Sequence, residues 1–341
     1  LADDLAFIRP TIMVAVPRIF ERIYGRINGQ LEKGKASKRA IFKSAIRVGW
    51  HKFEHRQGRR GWHPRLLAHS LLDKLVGSKV RERLGGRLRF AISGGAALSP
   101  KVAKMFIGLG VDVLNGYGLT ETSPVISCNI PEDNDPLSVG VILHNLETRI
   151  SSQNELQVKG PNIMLGYWNN HAATAQMIDH DGWLSTGDQA RIENGHIYIT
   201  GRIKDILVLS NGEKVPPGDM ELSIANDSLF EQVMVVGEGE SFLAALVVLN
   251  AEEWPAYAQH HGLDPMDSAS LNSKKVVKPI LIKIRKALHD FPSYAKIRQV
   301  HLTLEPWTID NGLMTPTMKI KRPKVLEHMK NIVAEIYSSS D

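Results

Sequence analysis

A single cysteine, Cys128, stands in 341 residues, which excludes an internal disulfide and fits a reducing compartment. Long apolar runs are scarce as well. Phe242 to Leu249 is among the longest, far short of the roughly 20 residues that span a bilayer. His51, His55 and His63 lack partners for a metal site and read as surface residues. The chain begins Leu1-Ala2-Asp3, with no methionine and no secretory leader, and is expected to be the rear part of a longer cytoplasmic protein. What is present in quantity is apolar content: 43% hydrophobic residues suffice for a large core in more than one domain.

Charge is spread unevenly. The net charge is +6, yet from Lys33 to Arg65 eleven Lys/Arg stand against one acid, Glu54, so the remainder is slightly acidic. Phe42, Ile46, Trp50 and Phe53 recur there at helical spacing, an apolar stripe beside a basic face. The solvated face of a docked helix fits this pattern. So does peripheral contact of residues 33–65 with anionic lipid headgroups, at the inner face of the cell membrane. Nucleic acid is not expected, because no binding module of that kind accompanies the stretch. Gly29 to Ala36 nearly matches the nucleotide-binding G-x-x-x-x-G-K-[ST] pattern. It is rejected, since Ala36 lacks the hydroxyl that holds Mg²⁺ and a helix, not a strand, precedes it. Oligomeric state is left open.

Two glycine-rich turns carry the candidate chemistry. Ile12 to Val16 reads as a buried strand, and Pro17 suits the first turn of a helix through Phe20, Ile23 and Ile27. Leu88 to Ile92 reads as a second strand, followed by Ser93-Gly94-Gly95-Ala96-Ala97-Leu98. Ser99 then serves as N-cap and Pro100 as first residue of a helix to about Leu109. Val111 to Leu114 completes a βαβ unit with parallel strands. Asn115-Gly116-Tyr117-Gly118-Leu119-Thr120-Glu121-Thr122 follows and reads as a loop, because Thr122-Ser123-Pro124 blocks an immediate helix. In open α/β sheets, ligands sit at such carboxyl ends. Gly116 and Gly118 let a ligand approach the backbone, and Tyr117 offers an aromatic face. Thr120 adds a hydroxyl and Glu121 a carboxylate, a set suited to adenine, phosphate and Mg²⁺. The backbone of Gly94-Gly95-Ala96 would line the same slot.

After Val139 short strands and turns alternate, at Thr148–Ile150, Glu155–Val158, Leu165–Trp168 and His196–Thr200. They read as a β-rich subdomain over residues 139–201. Inside it lies Asp181-Gly182-Trp183-Leu184-Ser185-Thr186-Gly187-Asp188. A short carboxylate held behind a glycine can accept two hydrogen bonds from a vicinal diol such as a ribose. Beyond Arg202 the pattern is α+β: a strand at Ile206–Leu209, a turn at Ser210-Asn211-Gly212-Glu213 and a helix from Pro217. Strands at Val233–Val236 and Phe242–Leu249 and helices at 251–260 and 274–289 follow. Thr315 and Pro316 are expected to keep the segment from Asn311 to Arg322 extended, before a helix from about Lys324.

Tyr117-Gly118-Leu119-Thr120-Glu121, Ser185-Thr186-Gly187-Asp188 and Gly201-Arg202-Ile203-Lys204-Asp205 stand in a particular order. That order and approximate spacing resemble the adenylate-forming enzymes: acyl-CoA synthetases, luciferases and peptide-synthetase adenylation domains. Glu155 to Pro161 with Gly166-Tyr167 resembles that family's intervening motif, with Asn154 where glycine is usual. Thr315-Pro316-Thr317-Met318-Lys319-Ile320-Lys321-Arg322 is similar to the lysine loop of long-chain fatty acid–CoA ligases. The resemblance implies an α/β fold. Residues 1–203 would be the rear part of a large domain with a parallel or mixed sheet and the β-rich subdomain, and residues 204–341 a smaller mobile α+β domain.

The reaction so implied takes ATP, a fatty acid and CoA to acyl-CoA through an acyl-adenylate. Tyr117 would stack on adenine beside Gly94, Gly95, Ala96 and Gly116. Asp188, assisted by Arg202, would hold the ribose, Thr120 the α-phosphate and Glu121 the Mg²⁺. Lys319, in preference to Lys321, would neutralise charge during adenylation. Lys204 would be the hinge, and Ser210, Asn211 and Gly212 would line the CoA channel. The family's Ser/Thr/Gly-rich phosphate loop ending in Pro-Lys-Gly does not occur in these residues. Little adenylation by this chain alone and an unpaired sheet edge are therefore expected. The alternatives are an acyl-AMP ligase that serves a carrier protein and a non-catalytic module that binds lipid or nucleotide.

Overall fold

The β-α-β unit read from residues 88–114 is present in the computed structural model, which describes residues 2–32, 34–265, 271–316 and 318–338. Lys33 of the basic stretch and Thr317 of the lysine loop lie outside the described residues. The chain divides into two units, Leu1–Thr200 and Gly201–Asp341.

In the first unit β1 (Ile12–Ala15), β2 (Phe90–Ser93) and β3 (Asp112–Gly118) run parallel, with Val14 opposite Ile92 and Ile92 opposite Leu114. Helix Pro100–Gly108 joins β2 to β3. One sheet face, with Met13, Ala15, Ala91 and Val113, belongs to a core that includes Phe20, Phe42, Phe53 and Phe106. Phe20 meets Phe106 edge-on at 5.5 Å. Helix Ala36–Arg56 crosses helix Pro100–Gly108 backbone to backbone: a Cβ on Gly49 would lie 1.9 Å from the Gly108 carbonyl oxygen, so only glycine fits. Among the described residues no strand pairs with the outer edge of β1, where Val14 is 75% exposed.

Beyond β3 the pairing turns antiparallel. β4 (Val125–Cys128), β5 (Val141–Ile142), β6 (Glu147–Ile150), β7 (Glu155–Lys159), β8 (Leu184–Glu193) and β9 (His196–Arg202) extend the sheet in the order β1-β2-β3-β4-β5-β9-β8-β7-β6. Ile126, Leu156, Val158, Ala190 and Ile197 form a second core here.

Several elements differ from the sequence reading. The octet that starts at Asn115 is half strand, because Gly116 and Tyr117 pair with Cys128 and Ser127 of β4. The loop proper begins at Leu119. Leu165–Trp168 is not a strand: Gly166 has φ +148°, and the Tyr167 N–H donates to the Thr174 hydroxyl of helix His171–Met177. Ser185 to Asp188 lie inside β8, a strand absent from the sequence reading. His51 is buried, with its Nε2 3.1 Å from the Gly61 carbonyl oxygen. Ser99 occupies the N-cap position without a side-chain capping bond.

The second unit holds a hairpin of β10 (Leu207–Val208) and β11 (Lys214–Val215) and a three-stranded sheet. In that sheet β13 (Leu243–Leu249) lies between β12 (Phe230–Val236), antiparallel, and β14 (Ile297–Thr303), parallel. Every residue of β13 is buried. Leu243, Ala245, Val247 and Leu249 share a core with Met220, Ile224, Ile280 and Ile284. Ala244, Leu246 and Val248 share another with Trp307, Val325, Met329 and Ile336. A strand covered on both faces needs the continuous apolar run that this sequence shows. The segment after Met314 is not extended. The Thr315 N–H donates to the Lys319 carbonyl at 2.8 Å and Met314 bridges to Ile320, so the loop closes into a turn. Among the described residues no helix is long and apolar enough to cross a membrane.

Candidate active site

Tyr117 and Asp188 sit on β3 and β8, four places apart in the strand order. A flat sheet would hold such strands about 19 Å apart. Instead the Tyr117 hydroxyl donates to Asp188 Oδ2 at 2.7 Å, so the sheet curls until the two meet. Asp188 is 7% exposed. A bulge aims it. Glu155 pairs with Gln189 and Gln157 with Ser185, which leaves Thr186-Gly187-Asp188 opposite Leu156. Gly187 takes φ +73° there, and its N–H donates to Glu155 Oε1 at 2.8 Å. The Thr186 hydroxyl donates to the Leu156 carbonyl at 2.7 Å.

Thr120 and Glu121 lie on the single 3-10 turn Thr120–Thr122 at the end of β3. The Thr122 hydroxyl accepts from the Leu119 N–H and donates to the Pro124 carbonyl. Gly118 is needed beside it, since a Cβ would lie within 1.8 Å of the Pro124 carbonyl oxygen. The segment Asn162–Tyr167 clamps this turn. Asn162 Nδ2 donates to the carbonyls of Thr122 and Val125, and the Met164 N–H to that of Glu121 at 2.9 Å. The Tyr167 hydroxyl donates to Glu121 Oε1 at 2.8 Å. Burial, and then the Glu121 carboxylate beside it, pushes the Tyr167 phenol up, so it remains a donor at neutral pH. Asn162 and Tyr167 had no assigned role in the sequence reading; Gly166-Tyr167 of the intervening motif was the signal. Asn154, in place of the usual glycine, takes φ +60°, a conformation asparagine tolerates better than most residues.

Gly94 and Gly95 form the turn after β2, with Gly95 at φ +85°. A Cβ on Gly94 would lie 3.6 Å from the Gly116 carbonyl oxygen, so the two glycine-rich stretches are neighbours. The buried Ser93 and Ser99 hydroxyls on either side of this turn have no hydrogen-bond partner among the described residues. Behind β3 a polar scaffold holds the strands together. Asn115 Nδ2 donates to the Pro136 and Ser138 carbonyls, and buried His196 lies 2.8 Å from Ser138 Oγ and 3.0 Å from Asp133. Burial pushes the Cys128 thiol up, which makes it a poor nucleophile. Among the described residues no cluster of three or more His, Cys, Asp or Glu could hold a metal. A lone Glu121 does not suit a resident cation, but it fits Mg²⁺ that arrives on nucleotide phosphates, which needs only one or two protein carboxylates.

The remaining candidates belong to the second unit. Arg202 ends β9, and Lys204 is exposed in the 3-10 turn Ile203–Asp205. Ser210, Asn211 and Gly212 form an exposed turn between β10 and β11, closed by the Gly212 N–H on the Leu209 carbonyl with Gly212 at φ +85°. Lys319 is exposed, and its N–H donates to Thr315 Oγ1 at 3.0 Å. Lys321 instead caps helix Arg322–His328, its N–H bonded to the Leu313 carbonyl. Arg322 turns inward to Glu221 and the Val235 carbonyl, which anchors the lysine loop on β12. Burial pushes the Glu221 carboxyl up against the opposing pull of Arg322.

From Ala36 to Arg56 the basic stretch is a docked helix whose Phe42 and Phe53 are buried, and several cations at and just beyond its end are engaged internally. Arg56 bonds both oxygens of Asp112 at 2.8 Å, Arg59 the Asn134 carbonyl and Arg60 Glu54.

Family profiles described as AMP-binding enzyme and AMP-binding enzyme C-terminal domain match residues 1–168 and 204–341. The long-chain-fatty-acid–CoA ligase FadD15 of Mycobacterium bovis is 33% identical, over 99% of this chain and 56% of its own length. The chloroplast long-chain-fatty-acid–[acyl-carrier-protein] ligase AEE15 of Arabidopsis thaliana is 31% identical, over 99% of this chain and 51% of its own. The chain thus spans about half the length of the curated relatives it matches. The fold matches the A domain of the carboxylic acid reductase from Segniliparus rugosus, solved in complex with AMP and a co-purified carboxylic acid. The TM-score is 0.72 at 23% identity, over 100% of this chain and 49% of that one.

Proposed function

The chain belongs to the AMP-binding enzyme family, and on that premise we propose that it serves AMP-forming activation of a long-chain fatty acid and its transfer to CoA. In the first step a carboxylate oxygen attacks the α-phosphorus of ATP, the bond to the bridging oxygen breaks and pyrophosphate leaves. In the second the CoA thiolate attacks the acyl carbon and AMP leaves. The observation that carries this reading is the 2.7 Å contact of Tyr117 with Asp188, within the sheet whose β2 ends at the Gly94–Ala96 turn. An aromatic ring and a buried carboxylate so joined suit a base and the ribose attached to it.

In this proposal Tyr117 stacks on adenine beside Gly94, Gly95, Ala96 and Gly116. Asp188 accepts from both ribose hydroxyls with help from Arg202, and Thr120 donates to the α-phosphate. Glu121, oriented by Tyr167, would hold Mg²⁺, which offsets phosphate charge when bound. Lys319 neutralises charge shared by carboxylate and phosphorus. Lys204 is the hinge that withdraws it, and Ser210, Asn211 and Gly212 line the CoA path. With no Ser/Thr/Gly-rich phosphate loop in these residues, turnover by this chain alone should be slight. Contact of residues 33–65 with anionic headgroups is electrostatic in this reading.

A carrier protein in place of CoA is the second reading, favoured by the 31% identity to AEE15. A lipid- or nucleotide-binding module without catalysis is the third. Calorimetric titration with a non-hydrolysable acyl-sulfamoyl adenosine tests the site. Asp188→Ala should weaken binding about 30- to 100-fold through two lost charge-assisted hydrogen bonds. Unchanged affinity would remove Asp188 from the nucleoside site. Supplying preformed acyl-AMP with CoA or with a phosphopantetheinylated carrier then separates the two acceptors, and transfer to neither favours the binding module.

A further inference from the structure

The segment from Trp62 to Val80 carries two apolar stripes where a docked helix needs one. Pro64–Ala68, His69–Leu72, Asp73–Gly77 and Ser78–Arg83 follow one another without a break, as a 3-10 turn, an α turn, a π turn and an α-helix. Leu72, Val76 and Val80, four residues apart, pack against the first unit's core. Leu67, Leu71 and Leu75 are also four apart but about 100° round the helix from that stripe. They face outward, 77%, 63% and 46% exposed, and Trp62 just before them is 61% exposed. One exposed leucine needs no explanation, but three in register with a tryptophan do.

The outer stripe is held in place. Arg81 bonds both oxygens of Asp73, at 2.6 and 2.8 Å, and donates to the Leu109 carbonyl at 2.8 Å. Gly77 makes room for this pair, since a Cβ there would lie 2.3 Å from Asp73 Oδ1. The stripe is also framed by cations. From Arg59 to Arg83 there are seven Lys/Arg against two acids, Asp73 and Glu82, and Arg81 takes up the first. Arg65, Lys74 and Lys79 are exposed.

An apolar stripe with basic flanks matches a surface that is apolar inside and anionic at its rim. We propose that the outer face of residues 62–79 seats an anionic phospholipid bilayer. Trp62, Leu67, Leu71 and Leu75 enter the headgroup boundary, and Arg65, Lys74 and Lys79 meet the phosphates. The stripe Phe42 to Phe53 on helix Ala36–Arg56 cannot serve, because it is turned into the core. The proposal is independent of the ligase reading.

The test is co-sedimentation of the full chain with phosphatidylcholine vesicles, with and without phosphatidylglycerol. Binding is expected only to vesicles that contain phosphatidylglycerol. The triple change Leu67→Gln, Leu71→Gln, Leu75→Gln should weaken it at least about tenfold. Arg65→Gln, Lys74→Gln, Lys79→Gln should weaken it by roughly fivefold per charge at low salt. All six positions face solvent or are half exposed, so both variants should melt with the wild type. Lipid addition should shift tryptophan emission to the blue in the wild type and less in Trp62→Phe. Three results overturn the proposal. The first is wild type left in the supernatant with phosphatidylglycerol vesicles, and the second is a leucine variant that binds as well as the wild type. The third is a lipid-free dimer, abolished in the leucine variant, with no vesicle binding.

Discussion

The two sheets solve opposite problems. In the second unit β13 is apolar on both faces, and the candidate residues Ser210, Asn211, Gly212 and Lys319 lie on loops outside the strands. Lys319 hangs on one such loop, tied down by local bonds within five residues and by inward Arg322. In the first unit polar groups sit within or directly after the strands. Tyr117 on β3 reaches Asp188 on β8 across 71 residues of sequence, and Glu121 reaches Tyr167 across 46. A scaffold can be built from uniform apolar runs, whereas a site requires strands that curl, bulge and carry unlike residues. The first sheet gives up regularity at Gly118 and Gly187, and four candidate side chains converge in two pairs.

The sharpest way to break this contrast is to damage the scaffold. Leu246 is fully buried in β13. Leu246→Ala should cost about 2–5 kcal/mol in urea unfolding, while Lys319→Ala on the exposed loop should stay within about 0.5 kcal/mol of wild type. A loss below about 1 kcal/mol for Leu246→Ala would mean that this face is not close-packed. A smaller effect is expected at the clamp in the first unit. Tyr167→Phe removes the donor to Glu121, at about 1 kcal/mol. It should therefore speed hydrogen exchange of the Met164 amide, which donates to the Glu121 carbonyl, about fivefold. Unchanged exchange would show that Asn162 alone holds the turn.

The same contrast decides what could be read from residue order. β1, β2, β13 and the helices after Pro17, Pro100 and Pro217 are legible, because an apolar run next to proline or glycine is a local signal. β8 is not. The bulge around Gly187 in its Ser185-Thr186-Gly187-Asp188 breaks the two-residue alternation that marks a strand. β14 is not legible either, because Arg298, Gln299 and His301 dilute its buried positions. The pairing of Tyr117 with Asp188 left no local trace and was approached only through the ordered motifs of a family. His51 shows the same limit, since a carbonyl ten residues away is what permits its burial.

The smallest expected effect concerns the strut behind the exposed leucines, and it has a pH signature. The Arg81 guanidinium, hydrogen-bonded to Asp73, holds that carboxyl below the usual range against a modest opposing effect of burial. An acid whose folded value is depressed adds stability above its unfolded value, near pH 4, and that stability is lost as the pH falls through the lowered folded value. Both side chains are 28% exposed, so solvent screening limits the pair to about 0.5–1 kcal/mol despite its two-pronged geometry. Asp73→Asn should thus lower stability by that amount at pH 7 and flatten the acid side of the unfolding curve below about pH 4. Because Arg81 would still hold the Leu109 carbonyl, the helical run should persist, and the circular dichroism of the variant should match the wild type. A loss several times larger, or one that does not depend on pH, would show that the pair supports the packing of Leu72, Val76 and Val80 and not merely the orientation of the stripe outside them.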